Sequence, residues 1–368
     1  MKPYISVPII FALVYRAYSR KGLTPFGIVV AALTAIAHAV NPWSLPLFLL
    51  LVFYVGATKA TKVKEDIKAQ LTLSATGSHG GEGPRSHIQV LANSIVATVL
   101  SLLHAWAVAK DNREECFSNG QHPADLLFVG IIANYAAVAA DTYSSELGIL
   151  SKSKPRLITS LTLREVPPGT NGGVTAAGLL AGALGAFTVA LTSAILLPFC
   201  GGFSNTLSER AVLIVATTIW GTLGSLVDSL LGGLLQASIV DKRSGKIVEG
   251  QGGQKVLLHP SSTTSGNVHS VSGSSTDTSG SHLRKTEAAV NTAALKGTKA
   301  TGTSEKSTKG DEASHESRRI ESGHDILDNN AVNLLMAFIM SVGAIGVASY
   351  AWDLLVQDAL PFTLHFAL

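Results

Sequence analysis

Apolar residues recur along this chain in long unbroken runs, unlike the short amphipathic stretches of a soluble domain. Runs of membrane-spanning character cover Pro25–Val40, Trp43–Val55, Ile88–Ala109, Ala124–Ala140, Val174–Phe199, Ala211–Ser238 and Ala331–Ala351, and a shorter one covers Tyr4–Tyr15. They predict an all-α, polytopic transmembrane bundle of seven to eight spans. The first run is short enough to be a signal-anchor. Asn41-Pro42 splits the next two, which predict either two spans or a re-entrant hairpin.

From Asp241 to Gly323 the pattern switches to Ser, Thr, Gly, His and Lys, as in SSTTSGNVHSVSGSSTDTSGSH. Such a segment buries too little apolar surface to offset its ordering entropy, and it predicts a disordered loop. A tolerated insertion between two helices is the plain account of it, and a phosphorylated regulatory loop is the other. The expected organisation is a membrane bundle over 1–240, a cytosolic loop over 241–323, and a last helix with its tail over 324–368 that rejoins the bundle.

Composition sharpens this picture. Hydrophobic residues make up 46% of the 368 and charged residues 14%, against about 25% charged in a soluble domain. The net charge of +3 is too mild for a nucleic-acid binder, and no basic and aromatic interleave is present. The basic residues also orient the chain. On an eight-span path, all but Lys2, Lys110, Arg113 and Arg210 of the 28 Lys and Arg fall on one side, and cytosolic loops retain such residues. Both termini and the loops holding Cys116 and Cys200 are then expected outside the cytosol.

Three acids lie in or at the ends of apolar runs, where an ionised carboxylate costs about 2.5 kcal/mol or more at the bilayer centre: Asp141, Glu146 and Asp228. In NYAAVAADTYSSELG, Asn134, Val138, Asp141 and Ser145 share a helix face. Glu146 lies roughly 140° around and joins Asp141 only if the helix bends or ends before it. In WGTLGSLVDSLLGGLLQ, Gly221, Ser225, Asp228 and Gly232 form one small-and-polar face suited to close packing around a buried acid. The alternative is that Asp228 is a hydrogen-bonded packing residue.

The loop RLITSLTLREVPPGTNGGVTAAG offers Gly169, Thr170, Asn171, Gly172 and Gly173 just before a helix start, the ingredients of a phosphate cradle, although Pro-Pro-Gly there also serves as an ordinary turn. No GxxxxGK[ST] occurs, which excludes a Walker-type NTPase. In GHDILDNNAVNLLMAF, Asp325, Asn329 and Asn333 recur every four residues beside Asp328 and Asn330. They make either an oxygen-rich site for a hard cation such as Mg2+ or a well-capped helix start. In GEGPRSHIQVLANS, Arg85 is a candidate phosphate contact and Asn93 is expected to face the bundle. All these segments map to the expected cytosolic face. Such one-sidedness favours an enzyme joining a soluble anion to a lipid-dissolved substrate over a transporter, which needs polar groups through the membrane depth.

The ordered blocks R-x-x-x-QVLAN, ADTYSSELG, PRLITS…VPPGTNGGV, GSLVDSLLGGLLQ and LDNNAVN resemble, over nearly the whole chain outside 241–323, the integral-membrane transmembrane protein 19 family. The 241–323 segment departs from the shorter connection expected there. That family includes the plant phytyl-phosphate kinase of vitamin E synthesis. The resemblance therefore implies phosphoryl transfer from a nucleoside triphosphate, with CTP one donor, to a phytyl or polyprenyl monophosphate, in an endomembrane such as the endoplasmic reticulum. It leaves open the chain length of the substrate and a non-catalytic role as lipid-phosphate binder, transporter or structural bundle. For a kinase, the expected roles are metal binding or orientation by Asp141, Glu146 and Asp228, completed by Asp325, Asn329 and Asn333. Phosphate contacts fall to Arg85, Arg156, Arg164 and the PPGTNGG loop, and the apolar helices take the prenyl tail.

Overall fold

The computed structural model describes residues 2–75, 78, 80, 83–111, 116–256 and 318–360. Every predicted apolar run is helical: α1 (Pro3–Ser19), α2 (Pro25–Val40), α3 (Leu45–Lys62), a short α4 (Glu65–Leu71), α5 (His87–Asp111), α6 (Ala124–Gly148), α7 (Ala176–Leu196), a single turn α8 (Gly202–Asn205), α9 (Leu207–Leu235) and α10 (Asn329–Trp352). Among the described residues, α3, α5, α6, α7, α9 and α10 are long and apolar enough to cross a membrane, and α2 is a shorter apolar helix. Asn41-Pro42 thus separates two helices. The Asn41 side chain fixes the turn, donating to Ser101 O at 2.9 Å and accepting from Trp43 N at 3.0 Å.

Helix starts follow local chemistry. Thr24 caps α2 by accepting from Gly27 N at 3.1 Å, with Pro25 as the first helical residue. Thr175 caps α7 through Gly178 N at 3.0 Å, and Asp328 caps α10 through Ala331 N at 2.8 Å.

Helix α6 is the central element, packed on α3, α5, α7, α9 and α10 and buried from Ala124 to Ala140 except at the half-buried Val129. Its neighbours approach through glycine. A Cβ at Gly185 of α7 would stand 2.6 Å from Ala139 O, and one at Gly221 of α9 would stand 2.7 Å from Ala136 O. With no hydrophobic drive between helices in lipid, such backbone contact is what dispersion has to work with.

One end of the bundle is closed by a Cys116–Cys200 disulfide, joining the α5–α6 and α7–α8 connections. Phe117 and Phe199 stack edge to face beside it, and Arg210 lies over the Phe199 and Phe203 rings while donating to Ala194 O.

The opposite end carries a feature the pattern did not predict. Strands β1 (Leu73–Ser74), β4 (Ser238–Asp241), β5 (Ile247–Glu249) and β6 (Arg318–Ser322) form a sheet in the order β1-β5-β4-β6. Between β1 and β4 in sequence, β2 (Arg156–Leu157) and β3 (Gly173–Val174) pair antiparallel. The expected loop boundaries at 241 and 323 are therefore corrected. Residues 241–256 and 318–323 are ordered, because Ile239, Val240, Ile247 and Val248 bury their side chains and Asp241 closes the hairpin by accepting from Ser244 N at 3.0 Å. The rest of the expected loop, 257–317, lies outside the described residues.

Candidate functional site

Asp141 and Asp228 meet. Each lies two turns before the C-terminal end of its helix, α6 or α9, and their carboxyl groups are hydrogen-bonded to each other. They sit on helix faces that are otherwise small or apolar, with Ser225 and Gly224 buried alongside. Asn333, at the start of α10, completes the contact: with its amide nitrogen turned inward it donates to Asp228 Oδ1 at 3.3 Å and to Asn329 O at 3.1 Å. Two carboxyl groups in contact repel unless a proton or a cation lies between them. The two carboxyl groups supply only oxygen atoms, at one end of the bundle.

Glu146 belongs to a second cluster. Helix α6 runs unbroken to Gly148, so Glu146 projects away from Asp141 toward α3 and α4. It accepts from Thr61 Oγ1 at 2.6 Å and from Lys68 Nζ at 2.5 Å. Lys68 also donates to Thr61 O at 2.5 Å and Ala60 O at 3.2 Å, which uses all three of its N–H bonds. Arg85 joins the same cluster, its Nη2 donating to Thr61 Oγ1 at 2.9 Å. Its backbone is clamped to the α1–α2 turn by Arg85 N to Gly22 O and Thr24 N to Arg85 O, both 3.0 Å.

The PPGTNGG loop lies against the end of α9. Gly169 and Gly172 have φ of +85° and +78°, and a Cβ at Gly172 would come within 2.8 Å of Gly233 Cα. Both the left-handed conformation and the close approach demand glycine here. Thr170 N, Asn171 N and Gly173 N donate to Pro167 O, Ser238 Oγ and Thr170 O, so those donors are spent inside the protein.

Of the other expected phosphate contacts, Arg164 is committed to Glu321, with Nη1 to Oε1 at 2.8 Å and Nη2 to the backbone oxygen at 2.9 Å, while Arg156 is exposed on β2. Asp325 pairs with Lys255 at 3.1 Å. The sequence-level set therefore separates into the Asp141–Asp228–Asn333 contact, with Asn329 beside it, the Glu146–Arg85 cluster, and ion pairs at the sheet. Among the described residues no group of three His, Cys, Asp or Glu converges.

Thr61, Lys68 and Ser238 are not singled out by the sequence. Lys68 reads there as one more orienting charge, and Thr61 as one more polar residue at a helix end. The hairpin has a legible signal: in SIVDKRSGKIVEG two β-branched pairs, Ile239-Val240 and Ile247-Val248, flank an Arg-Ser-Gly turn.

Residues 8–341 match the family described as Integral membrane protein DUF92. The chain is 37% identical over 228 residues to Protein PGR of Arabidopsis thaliana, covering 61% of this chain and 76% of that protein. It is 32% identical over 190 residues to an uncharacterised membrane protein of Methanocaldococcus jannaschii, covering 52% and 65%. To the chloroplastic Protein VTE6 of Arabidopsis thaliana it is 30% identical over 225 residues, covering 61% and 59%. It thus spans less than two thirds of the length of these last two relatives. No solved structure matches the chain.

Proposed function

The chain belongs to the DUF92 family of integral membrane proteins, and from that premise we propose that it is a membrane-embedded phosphotransferase. Its reaction transfers a phosphoryl group from a nucleoside triphosphate, CTP being one donor, to a prenyl monophosphate at the cytosolic face. Within the family this reading keeps the resemblance to the transmembrane protein 19 group and its phytyl-phosphate kinase. The observation that carries it is the Asp141–Asp228 carboxyl pair, brought together from two apolar helices at the basic end of the bundle.

Mg2+ suits that pair. The ion takes oxygen ligands and is ordinarily held by one or two carboxylates plus substrate phosphates and water, not by an all-protein cage. Asp141 and Asp228 supply the two carboxylates, and the lack of a third converging acid among the described residues agrees with an open shell. When bound, the ion supplies charge neutralisation for the phosphates. In the transfer, an oxygen of the prenyl phosphate bonds to the terminal phosphorus as the bond to the nucleoside diphosphate oxygen breaks, which is mainly positioning and electrostatic work. Asn333 holds Asp228 in place, and the N-termini of α7 and α10 present their positive dipole ends to the same face.

The test is Mg2+-dependent formation of prenyl diphosphate by purified protein with each nucleoside triphosphate. Nucleotide turnover that requires a prenyl monophosphate supports the enzyme. Tight binding of the lipid with no turnover by any nucleotide leaves a non-catalytic lipid-phosphate binder.

A further inference from the structure

On the other side of α6, helices α1, α2, α3 and α5 line a partly open pocket. Its walls are almost wholly apolar, with Leu13, Ile28, Ala32 and Phe53 among them, and its polar residues include Arg85, Gln89 and Asn93.

The charge at the polar end is unbalanced. Lys68 is fully bonded and neutralises Glu146. Arg85 and Arg16 both lie within electrostatic range of the Tyr54 hydroxyl, and Tyr54 lines the cavity. Among the described residues neither arginine has a carboxylate partner, and the Arg16 Nε is buried with no hydrogen-bond acceptor. A buried guanidinium N–H without an acceptor is costly, and a phosphate oxygen would satisfy it. We propose that this cavity binds a single-chain lipid phosphomonoester, its hydrocarbon in the α1–α2–α3–α5 slot and its phosphate on Arg85 and Arg16. The identity of that lipid as the acceptor substrate rests on the phosphotransferase reading, whereas the presence of the lipid site does not.

The experiment photolabels full-length protein in detergent with a diazirine-bearing prenyl monophosphate and maps the modified peptides. Labelling is expected on α1, α2, α3 and α5, displaced by unlabelled prenyl monophosphate but not by the prenyl alcohol or by two-chained phosphatidic acid. Arg85→Gln and Arg16→Gln, which keep the slot intact, should each weaken displacement roughly tenfold or more, as loss of a charge-assisted hydrogen bond predicts. Ala32→Phe should remove the label from the slot.

Labelling confined to other helices overturns the site, and so does equal displacement by alcohol and phosphate. Equal displacement by phosphatidic acid assigns the slot to bulk membrane lipid and overturns the single-chain assignment. Slot labelling in a protein that never turns over nucleotide supports the site while removing the kinase reading. Full turnover by a folded Ala32→Phe protein with an unlabelled slot overturns the slot as the acceptor site while leaving the kinase reading standing.

Discussion

Replacing Asp228 with Asn removes a charge while nearly preserving volume and hydrogen-bonding reach. Two unit charges at about 4 Å repel by roughly 4 kcal/mol at an effective dielectric constant near 20. That repulsion is relieved in the native protein only by a shared proton or a cation at the Asp141–Asp228 contact. The substituted amide, still facing Asp141, would leave a single carboxylate with a hydrogen-bond donor beside it. If the pair holds Mg2+, the wild type should gain melting temperature on titration with Mg2+ and nucleotide. Asp228→Asn should instead melt as high or higher without the ion, respond little to it, and lose at least about a hundredfold in turnover, the scale of one electrostatic contact to the transition state. Asp141→Asn should behave alike. The assay pairs thermal unfolding in detergent, with and without Mg2+, with formation of prenyl diphosphate. Wild-type turnover and an unchanged Mg2+ response in both variants would refute the metal-site reasoning, and the pair would then be a packing contact.

Other consequences follow from the packing and the sheet. Deleting 257–317 behind a short linker should leave melting and turnover near wild type. Deleting 241–323 should unfold the sheet face, since it takes β5 and β6 with it; equal tolerance of both deletions in a protease-resistance assay would show that the strands are dispensable. Gly221→Ala should destabilise by about 1–3 kcal/mol, because the added Cβ meets Ala136 O and Ala186 Cβ at 2.7 Å, whereas Gly346→Ala, with nothing within 4 Å, should be near neutral in the same melt. After reduction in sealed vesicles of known orientation, Cys116 and Cys200 should react with a membrane-impermeant maleimide only from the side opposite to that on which protease cleaves 257–317. Reaction and cleavage from one side would overturn the orientation and with it the grouping of polar segments on one face.

Several helix boundaries were legible because the apolar run ends at a chemical signal that survives folding: Thr24-Pro25, Asn41-Pro42, Thr175 and Asp328 terminate or cap elements, whereas α3, α6 and α9 start without a side-chain cap. The facing of Asp228 was legible too, since Gly221, Ser225, Asp228 and Gly232 share one stripe, on which Gly221 packs on α6, Ser225 is buried and Asp228 meets the acid of α6. Partners distant in sequence were not. Nothing in SSELG shows that Glu146 would find Lys68 and Thr61, more than 75 residues upstream, because periodicity gives a direction on one helix and no identity for the neighbour. Composition misread the edges of the polar segment. A run of Ser and Thr dominated the window and masked two apolar pairs, Ile239-Val240 and Ile247-Val248, enough for a hairpin once β1 and β6 flank it.

The unbroken course of α6 ties these observations together. Five residues separate Asp141 from Glu146, about 7.5 Å along the axis and 140° around it, so one rigid, buried helix carries the acid pair on one side and the Lys68–Thr61–Arg85 cluster on the other. A nucleotide at the acid pair and a lipid phosphate at Arg85 would approach across the C-terminal turns of that helix, between Thr142 and Ser145, where side chains are short or partly exposed. Bulk introduced there without charge, as in Ser145→Leu, should therefore slow transfer between two substrates that each still bind. Wild-type transfer by that variant would place the two phosphates on a path that does not pass over α6.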